Sequence, residues 1–331
     1  MPKYYLLPIA FIYGLIIRIK NHLYRINIWK PIQFEPTIIS IGSLSRNFSF
    51  YMPYEKYITS IFELKKIRSG ILSTNPMMQT ELLKVKPGLD SILIKRNEHA
   101  EYDVPRYYTP NSVVGIPYLL NDHPDINTIL LSNAYSERNI HFDLNILILH
   151  QNNIIHEDFL YPVGQLLEPR KEASRADVIL VETKDHILDE QKLNAQMDAF
   201  QLHAPVFFVE LVYYNAVEYD TGINLPFSNL ILFGMGDKAL GPLFNIENKD
   251  TLQFHEVNGD NPARSCKDLL KIMDGNNSNE FAVLASEKTL SFLLQNDVNR
   301  LARIFYLPMG IKFLKDRDKF DALISSVLHG S

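Results

Sequence analysis

Thr37 to Met52 stand where phosphate chemistry would be carried out, yet they are residue types that cannot supply it. Thr37-Ile-Ile-Ser-Ile-Gly42 is a short β-branched strand signal, and Tyr54 to Leu64 reads as a helix. Strand, turn and helix in that order frame a phosphate-binding loop. Such a loop uses glycines to bring backbone N–H groups onto the phosphates, a lysine to reach their outer oxygens and a Ser or Thr to hold magnesium. Here the turn reads Ser45, Arg46, Asn47, Phe48, Ser49, Phe50, Tyr51, Met52. It has no glycine and no lysine, and a methionine takes the place of the metal-holding hydroxyl. Phe48, Phe50 and Tyr51 would fill the space that phosphates occupy, and aromatics so close together are costly to leave in water. The turn is expected not to bind a nucleotide, so neither ATP nor Mg²⁺ is expected as a cofactor.

A second motif set lies downstream. Leu160-Tyr-Pro-Val-Gly-Gln-Leu-Leu-Glu-Pro-Arg170 precedes Ser174-Arg-Ala-Asp-Val-Ile-Leu-Val-Glu-Thr-Lys184. Two readings of Arg170 and Arg175 fit: they meet an anionic substrate, or they pair with Glu168, Glu172 and Asp177. Phe233-Gly-Met-Gly-Asp-Lys-Ala-Leu-Gly241 follows a strand and resembles a dinucleotide fingerprint, with Glu256 at the acidic position. Gly241-Pro242 then interrupts the helix that this fingerprint needs, which argues for a turn instead. The histidines are scattered, without the spacing of helical metal ligands, and no metal site is expected. Cys266, the single cysteine, excludes an internal disulfide and a Cys-rich zinc site.

These motifs need elements to hold them. Ile/Leu/Val runs of strand length recur at 37–41, 69–72, 128–131, 144–149, 177–181, 206–212, 230–233, 281–285 and 303–307. Several are continuous rather than alternating, as in strands buried on both faces. Helix-like stretches at 54–64, 111–120, 189–202, 261–273, 289–294 and 319–328 fall between them. The alternation predicts an α/β fold: a mostly parallel sheet flanked by helices, like that of P-loop NTPases. Val206 to Asn224 breaks the pattern and is read as a local antiparallel pair. The expected organisation is an N-terminal apolar helix (1–30), a P-loop-kinase-like domain (31–204), a linking β segment (205–224) and a smaller C-terminal α/β domain (225–331).

At 331 residues the chain can bury a substantial core, and 46% hydrophobic against 21% charged residues is ordinary for a folded soluble protein. A formal charge of −5 argues against nucleic acid as a partner. Tyr4 to Ile17 is apolar but shorter than the ~20 residues a spanning helix needs, and it lacks a small-residue cleavage site. Arg18, Lys20, His22 and Arg25 follow it. Aromatics with a basic flank suit a helix lying in the interface of an anionic leaflet. The other reading is a terminal helix docked on the protein's own core.

Taken together, these segments resemble the tetraacyldisaccharide 4'-kinases, which phosphorylate the lipid A disaccharide with ATP and Mg²⁺. Ser40, Gly42, Leu44 and Pro53 match that family's strand-Ser-x-Gly-Asn-Leu-Thr-x-Gly-Gly-Thr-Gly-Lys-Thr-Pro in register. Pro162, Gly164, Glu168, Pro169 and Arg170, then Arg175, Asp177 and Lys184, carry the most specific match. Pro205-Val-Phe-Phe208, Glu287-Lys288 and Phe305-Tyr-Leu-Pro308 follow in family order. The resemblance implies a lipid A disaccharide or another anionic membrane lipid as ligand. It also implies a peripheral position on the cytoplasmic face of the inner membrane; it names no protein partner.

The departures from the family fall where it does its chemistry. Its Asp-Asp-x-Phe/Leu-Gln-His is Ser132-Asn-Ala-Tyr-Ser-Glu137 here, so Ser132 and Asn133 occupy the carboxylate positions. Of its Asp-His-His only Asp260 is retained, in Asp260-Asn-Pro262. Its Gly-Asp-Glu-Pro has no clear counterpart, Glu101-Tyr-Asp-Val-Pro105 being the nearest. Phosphoryl transfer is mostly positioning and charge neutralisation, and this chain lacks the groups for both. The resemblance therefore implies a family scaffold with kinase activity absent or residual. An active kinase with a non-standard ATP site, and a lipid-binding, regulatory or relict copy, are the alternatives.

Overall fold

The computed structural model describes residues 4–46, 51–74, 94–95, 104–151, 158–183, 203–218, 230–234, 253–256, 282–286 and 303–328. The expected helices at 189–202, 261–273 and 289–294 lie outside these residues. In chain order the first elements are α1 (Leu7–Arg25), β1 (Thr37–Gly42), α2 (Met52–Leu64), β2 (Ser69–Ser73), β3 (Ile94–Lys95), β4 (Arg106–Tyr108), α3 (Ser112–Asp122), β5 (Thr128–Ser132) and β6 (Leu144–His150). A 3₁₀ segment (Arg170–Arg175) then leads to β7 (Val178–Thr183), β8 (Val206–Tyr213), β9 (Val217–Glu218), β10 (Leu230–Gly234), β11 (Gln253–Glu256), β12 (Ala282–Ser286), β13 (Arg303–Leu307), β14 (Met309–Phe313) and α4 (Arg317–Leu328).

The larger sheet runs β14-β8-β7-β6-β1-β5-β2-β4-β3 and is an α/β sheet of the expected kind. β1 pairs parallel with both β5 and β6, β2 with β5 and β4, and β7 with β6 and β8; β3 pairs antiparallel with β4. The smaller sheet runs β11-β10-β12-β13-β9, parallel except for the β13–β9 edge. Among the described residues of the 206–224 segment, β8 is parallel to β7 and β9 pairs with β13, rather than the two pairing with each other as expected.

Period-two alternation decides which face each strand residue serves. Ile39 and Ile41 join Ile146, Ile148 and Leu180 on one face, under Tyr54, Ile58 and Phe62 of α2 and Phe320 and Ile324 of α4. Ile38, Ile129 and Leu131 face the other way, against Ile116 and Leu119 of α3. α2 exists because Tyr54, Ile58, Ile61 and Phe62 recur at helical spacing and Pro53 sits in its first turn, where a missing N–H costs nothing. α3 starts where the Asn111 side chain accepts a hydrogen bond from Val113 N at 3.1 Å.

The chain divides into two compact units, residues 1–211 with 311–331, and residues 212–310. The expected C-terminal domain, 225–331, thus gives up its last segment to the first unit. The reason is packing. Phe313 and Phe320 form an aromatic cluster with Tyr57 and Phe207, with Phe313–Phe320 centroids 4.9 Å apart. Tyr57 also donates a 2.7 Å hydrogen bond to Asp321.

α1 docks on the protein's own core along one face, as the second reading of the N-terminus expects. Ala10, Gly14 and Asn21 are buried, Tyr13 Oη donates to the Leu167 carbonyl at 2.7 Å, and a Cβ on Gly14 would come within 2.7 Å of Leu160 Cδ1. The opposite face leaves Ile9, Phe11, Ile12, Ile16 and Ile19 more than half exposed. No described helix is long and apolar enough to cross a membrane.

Phe320→Ala is expected to cost about 3–5 kcal/mol, the usual loss for a fully buried phenylalanine. Lys319→Ala, on the same helix but exposed, should change stability by less than ~0.5 kcal/mol. Chemical denaturation of both variants followed by circular dichroism checks the difference.

Candidate functional site

In a parallel sheet, ligands bind beyond the carboxyl ends of the strands, and the segments after β1, β2 and β5 meet there. The connection from β5 to β6 must cross β1, which lies between them. It crosses closely: a Cβ on Gly42 would sit 2.6 Å from Tyr135 N and 2.8 Å from Tyr135 Cβ, so only glycine fits. Ala134 N donates to Ile41 O at 3.1 Å, fixing the crossing. Tyr135 then donates its hydroxyl to the Glu172 and Ala173 carbonyls, at 2.8 and 3.1 Å.

The carboxylate positions of the resembled family are occupied as follows. Ser132 is buried at the end of β5, and its Oγ has no hydrogen-bond partner among the described residues. Asn133 holds φ at 61°, a left-handed conformation that asparagine tolerates. Its Nδ2 lies 3.4 Å from Thr74 O, and Thr74 Oγ1 donates to Asn133 O at 3.0 Å. Glu137 takes the histidine's place. It accepts from Ser112 Oγ at 2.9 Å, and burial, opposed by Ser112 and Lys20, raises its carboxyl above the usual range.

On the β1 side, Leu167 N donates to Leu44 O at 2.8 Å and Arg46 N to Gln165 O at 2.9 Å. The turn after β1 is thereby laced to the 160–169 segment, and the Arg46 guanidinium stacks 5.1 Å from the Tyr161 ring centroid. Asn47, Phe48, Ser49 and Phe50 lie outside the described residues. Tyr51, in the register of the lysine, is 3% exposed and packs in the core with Tyr54 and Ile58. Burial, opposed by a hydrogen bond from the Ser43 backbone, pushes its hydroxyl well above the ordinary tyrosine range. Met52 opens α2. A buried tyrosine with a neutral hydroxyl cannot do what a lysine ammonium does for phosphates, so these residues do not fit MgATP in the known manner.

Two charge clusters are buried in the same unit. Arg106 of β4 meets Glu55 of α2 at 2.6 Å; burial alone would lower the guanidinium, but Glu55 more than offsets it. Behind the crossover, Arg175 pairs with Glu168 and Arg138 with Glu172, while Arg25 of α1 reaches Glu172 at 3.6 Å. Burial raises the Glu168 carboxyl despite both arginines. Arg175 also lies 4.7 Å from the Tyr135 ring centroid. Arg170 Nη2 donates to Asp158 O at 2.5 Å, and Asp177 accepts from Asn145 N at 2.8 Å. Of the two sequence readings, Arg175 follows the pairing one. Gly164 is required because a Cβ there would meet Asp158 Oδ1 at 2.2 Å; Pro162 follows a cis peptide bond in the same turn. Lys184, Asp260, Glu287 and Lys288 lie outside the described residues.

The sequence reading missed Arg138, Glu55, Arg106 and Ser112. Their partners are distant in the chain, and only a local ion-pair spacing such as Glu172–Arg175 was visible beforehand.

The fold is of the α/β class, a mostly parallel sheet flanked by helices with a small second sheet. The profile for Tetraacyldisaccharide-1-P 4'-kinase, LpxK, matches residues 2–329, and the chain belongs to this family. It is similar to the Tetraacyldisaccharide 4'-kinase of Flavobacterium johnsoniae, 25% identical over 336 residues covering 96% of this chain and 95% of that one. The Flavobacterium psychrophilum protein of the same name is 25% identical over 349 residues, 98% of this chain and 97% of its own. Among solved structures, "apo" form LpxK from Aquifex aeolicus in complex with ATP superposes with a TM-score of 0.71 at 21% identity, covering 98% of this chain and 99% of that one.

Two outcomes are expected. Glu137→Gln removes the cost of ionising a buried carboxyl while keeping an acceptor for Ser112. Because the folded-state pKa is raised, that cost is absent below the ordinary glutamate value and grows as pH rises through the folded value. The variant should therefore melt higher than the parent at neutral pH, with the gap closing in acid; thermal melts across pH check this. Arg138→Ala leaves Glu172 with only its longer contacts to Arg25 and Arg175, and should destabilise the protein in denaturation experiments by less than the ~3–5 kcal/mol of a fully uncompensated buried charge.

Proposed function

We propose that this chain is a lipid A 4'-kinase family member that keeps the scaffold for a lipid A disaccharide or a related anionic lipid but has lost ATP-dependent phosphoryl transfer, or retains only a residue of it. The observation that carries this reading is Tyr51: the position of the phosphate-binding lysine is a core aromatic. Ser132 and Asn133 at the carboxylate positions add to it. Losing one charge-stabilising group typically costs a few kcal/mol of transition-state stabilisation. Here the lysine, the metal hydroxyl and the carboxylates are replaced together.

The boundaries of function follow the units. The first unit carries the degenerate nucleotide crevice; the second, with its own small parallel sheet, is the smaller α/β domain. The outer face of α1 supports peripheral attachment to the cytoplasmic leaflet, since interfacial helices gain from apolar area and nearby basic residues together.

Calorimetric titration with MgATP is expected to give no saturable binding in the millimolar range. A magnesium-dependent isotherm would support the second reading, a diverged active kinase. Restoring glycines and lysine between Ser45 and Met52 should lower the melting temperature, because it strips Tyr51 from the core.

For the helix, Ile12→Asp with Ile16→Asp spares its docking face. The double variant should stay folded yet lose flotation with anionic vesicles by tenfold or more, about 1.4 kcal/mol or beyond. Equal flotation of parent and variant would assign α1 to the protein's own core alone.

A further inference from the structure

A cleft of about 620 Å³ opens on the other edge of the larger sheet, at the amino ends of β6 and β7. Its walls are the last turn of α1 with Tyr24 and Arg25, the crossover with Arg138 and His141, and the 3₁₀ segment with Lys171 and Ser174. We propose that this cleft binds the phosphate headgroup of an anionic glycerophospholipid, at a site separate from the crevice beyond β1 and β5. The proposal rests in part on the reading of α1 as an interfacial helix.

Charge is the first argument. Arg25, Arg138, Lys171 and Arg175 line the cleft against Glu137, Glu172 and Asp177. Glu172 is already shared among three arginines, and Asp177 is engaged by the Asn145 amide. The four cationic side chains outnumber the three carboxylates of the lining, and the guanidinium groups among them suit phosphate oxygens.

Unmet hydrogen bonding is the second. The buried Nε atoms of Arg138 and Arg175 have no hydrogen-bond partner among the described residues, and neither do Glu137 Oε2 and Glu172 Oε1 of the same lining. The two Nε atoms lie 3.8 Å from Glu168 Oε1 and 3.7 Å from Glu172 Oε2, too far for a hydrogen bond. Buried donors without acceptors call for a ligand or ordered water. Asn27, Asn145 and Ser174 add neutral polar groups suited to glycerol hydroxyls.

Position is the third. Tyr24 at the cleft wall meets the Trp29 ring edge-on, with centroids 5.6 Å apart. Trp29 is 47% and Ile28 63% exposed. Tyrosine and tryptophan favour the headgroup level of a bilayer. A lipid in the leaflet on which α1 lies would keep its chains in the bilayer and present only its headgroup to the cleft.

The test uses soluble dihexanoyl phosphatidylglycerol as monomers, which supplies a headgroup without a bilayer. It is titrated against the full-length chain, Arg25→Gln with Lys171→Gln, the control pair Arg18→Gln with Lys30→Gln, and Ile12→Asp with Ile16→Asp. Saturable thermal stabilisation is expected in the parent, the control pair and the isoleucine pair, with roughly tenfold weaker affinity in the Arg25/Lys171 pair. Lys171→Gln alone, at an exposed position, carries the same expectation at smaller amplitude and serves if the pair is unstable. Equal affinity in all variants, no stabilisation in the parent, or equal stabilisation by inorganic phosphate alone would overturn the lipid-headgroup site. If flotation shows that α1 does not hold vesicles, this titration still reads the cleft by itself, so the two ideas fail separately.

Discussion

A parallel sheet in which β1 lies between β5 and β6 forces the chain to cross β1 on its way from one to the other. The crossing is tight enough that Gly42 must lack a side chain, and Tyr135 is carried over β1 to the carbonyls of residues 172 and 173. From that one contact the rest is placed. Ser132 and Asn133 are held at the carboxyl edge, and Arg138 is delivered to the buried carboxylates of Glu168 and Glu172. The buried ions in turn lock the 3₁₀ segment ahead of β7 and reach α1 through Arg25. Backbone clearance alone accounts for a glycine at this position, whatever the neighbouring loop binds.

The contrast between scaffold and loop has a physical basis. Backbone crossings and close approaches are needed to fold the sheet at all, whatever the loop binds. A phosphate cradle serves only its ligand. Tyr51 serves the fold: its ring adds to the buried cluster under α2. Arg175 likewise pairs with Glu168 and Glu172, which gives that side chain a structural role.

Much of this was legible in the sequence. The central strands announced themselves as Ile/Leu/Val runs because both their faces are buried. β4 and β11 did not: Arg106-Tyr-Tyr108 is short, and Gln253–Glu256 is mixed in polarity at an edge. The apolar stripe of Phe320, Ile324 and Leu328 marked a helix, but not that it returns to the first unit, since a stripe does not name its partner. The residues at the loop and carboxylate positions were read from the resemblance of the segments that flank them. The charge clusters were not, because Arg106 with Glu55 and Arg138 with Glu172 are joined only by the fold.

The central claim is that the scaffold persists without the reaction. It is tested most directly by incubating the purified full-length chain with tetraacyldisaccharide 1-phosphate and γ-labelled MgATP, beside the Flavobacterium johnsoniae relative. The account predicts labelled product from the relative and none above background from this chain. Turnover by this chain comparable to the relative's, and lost on removing magnesium, would contradict it.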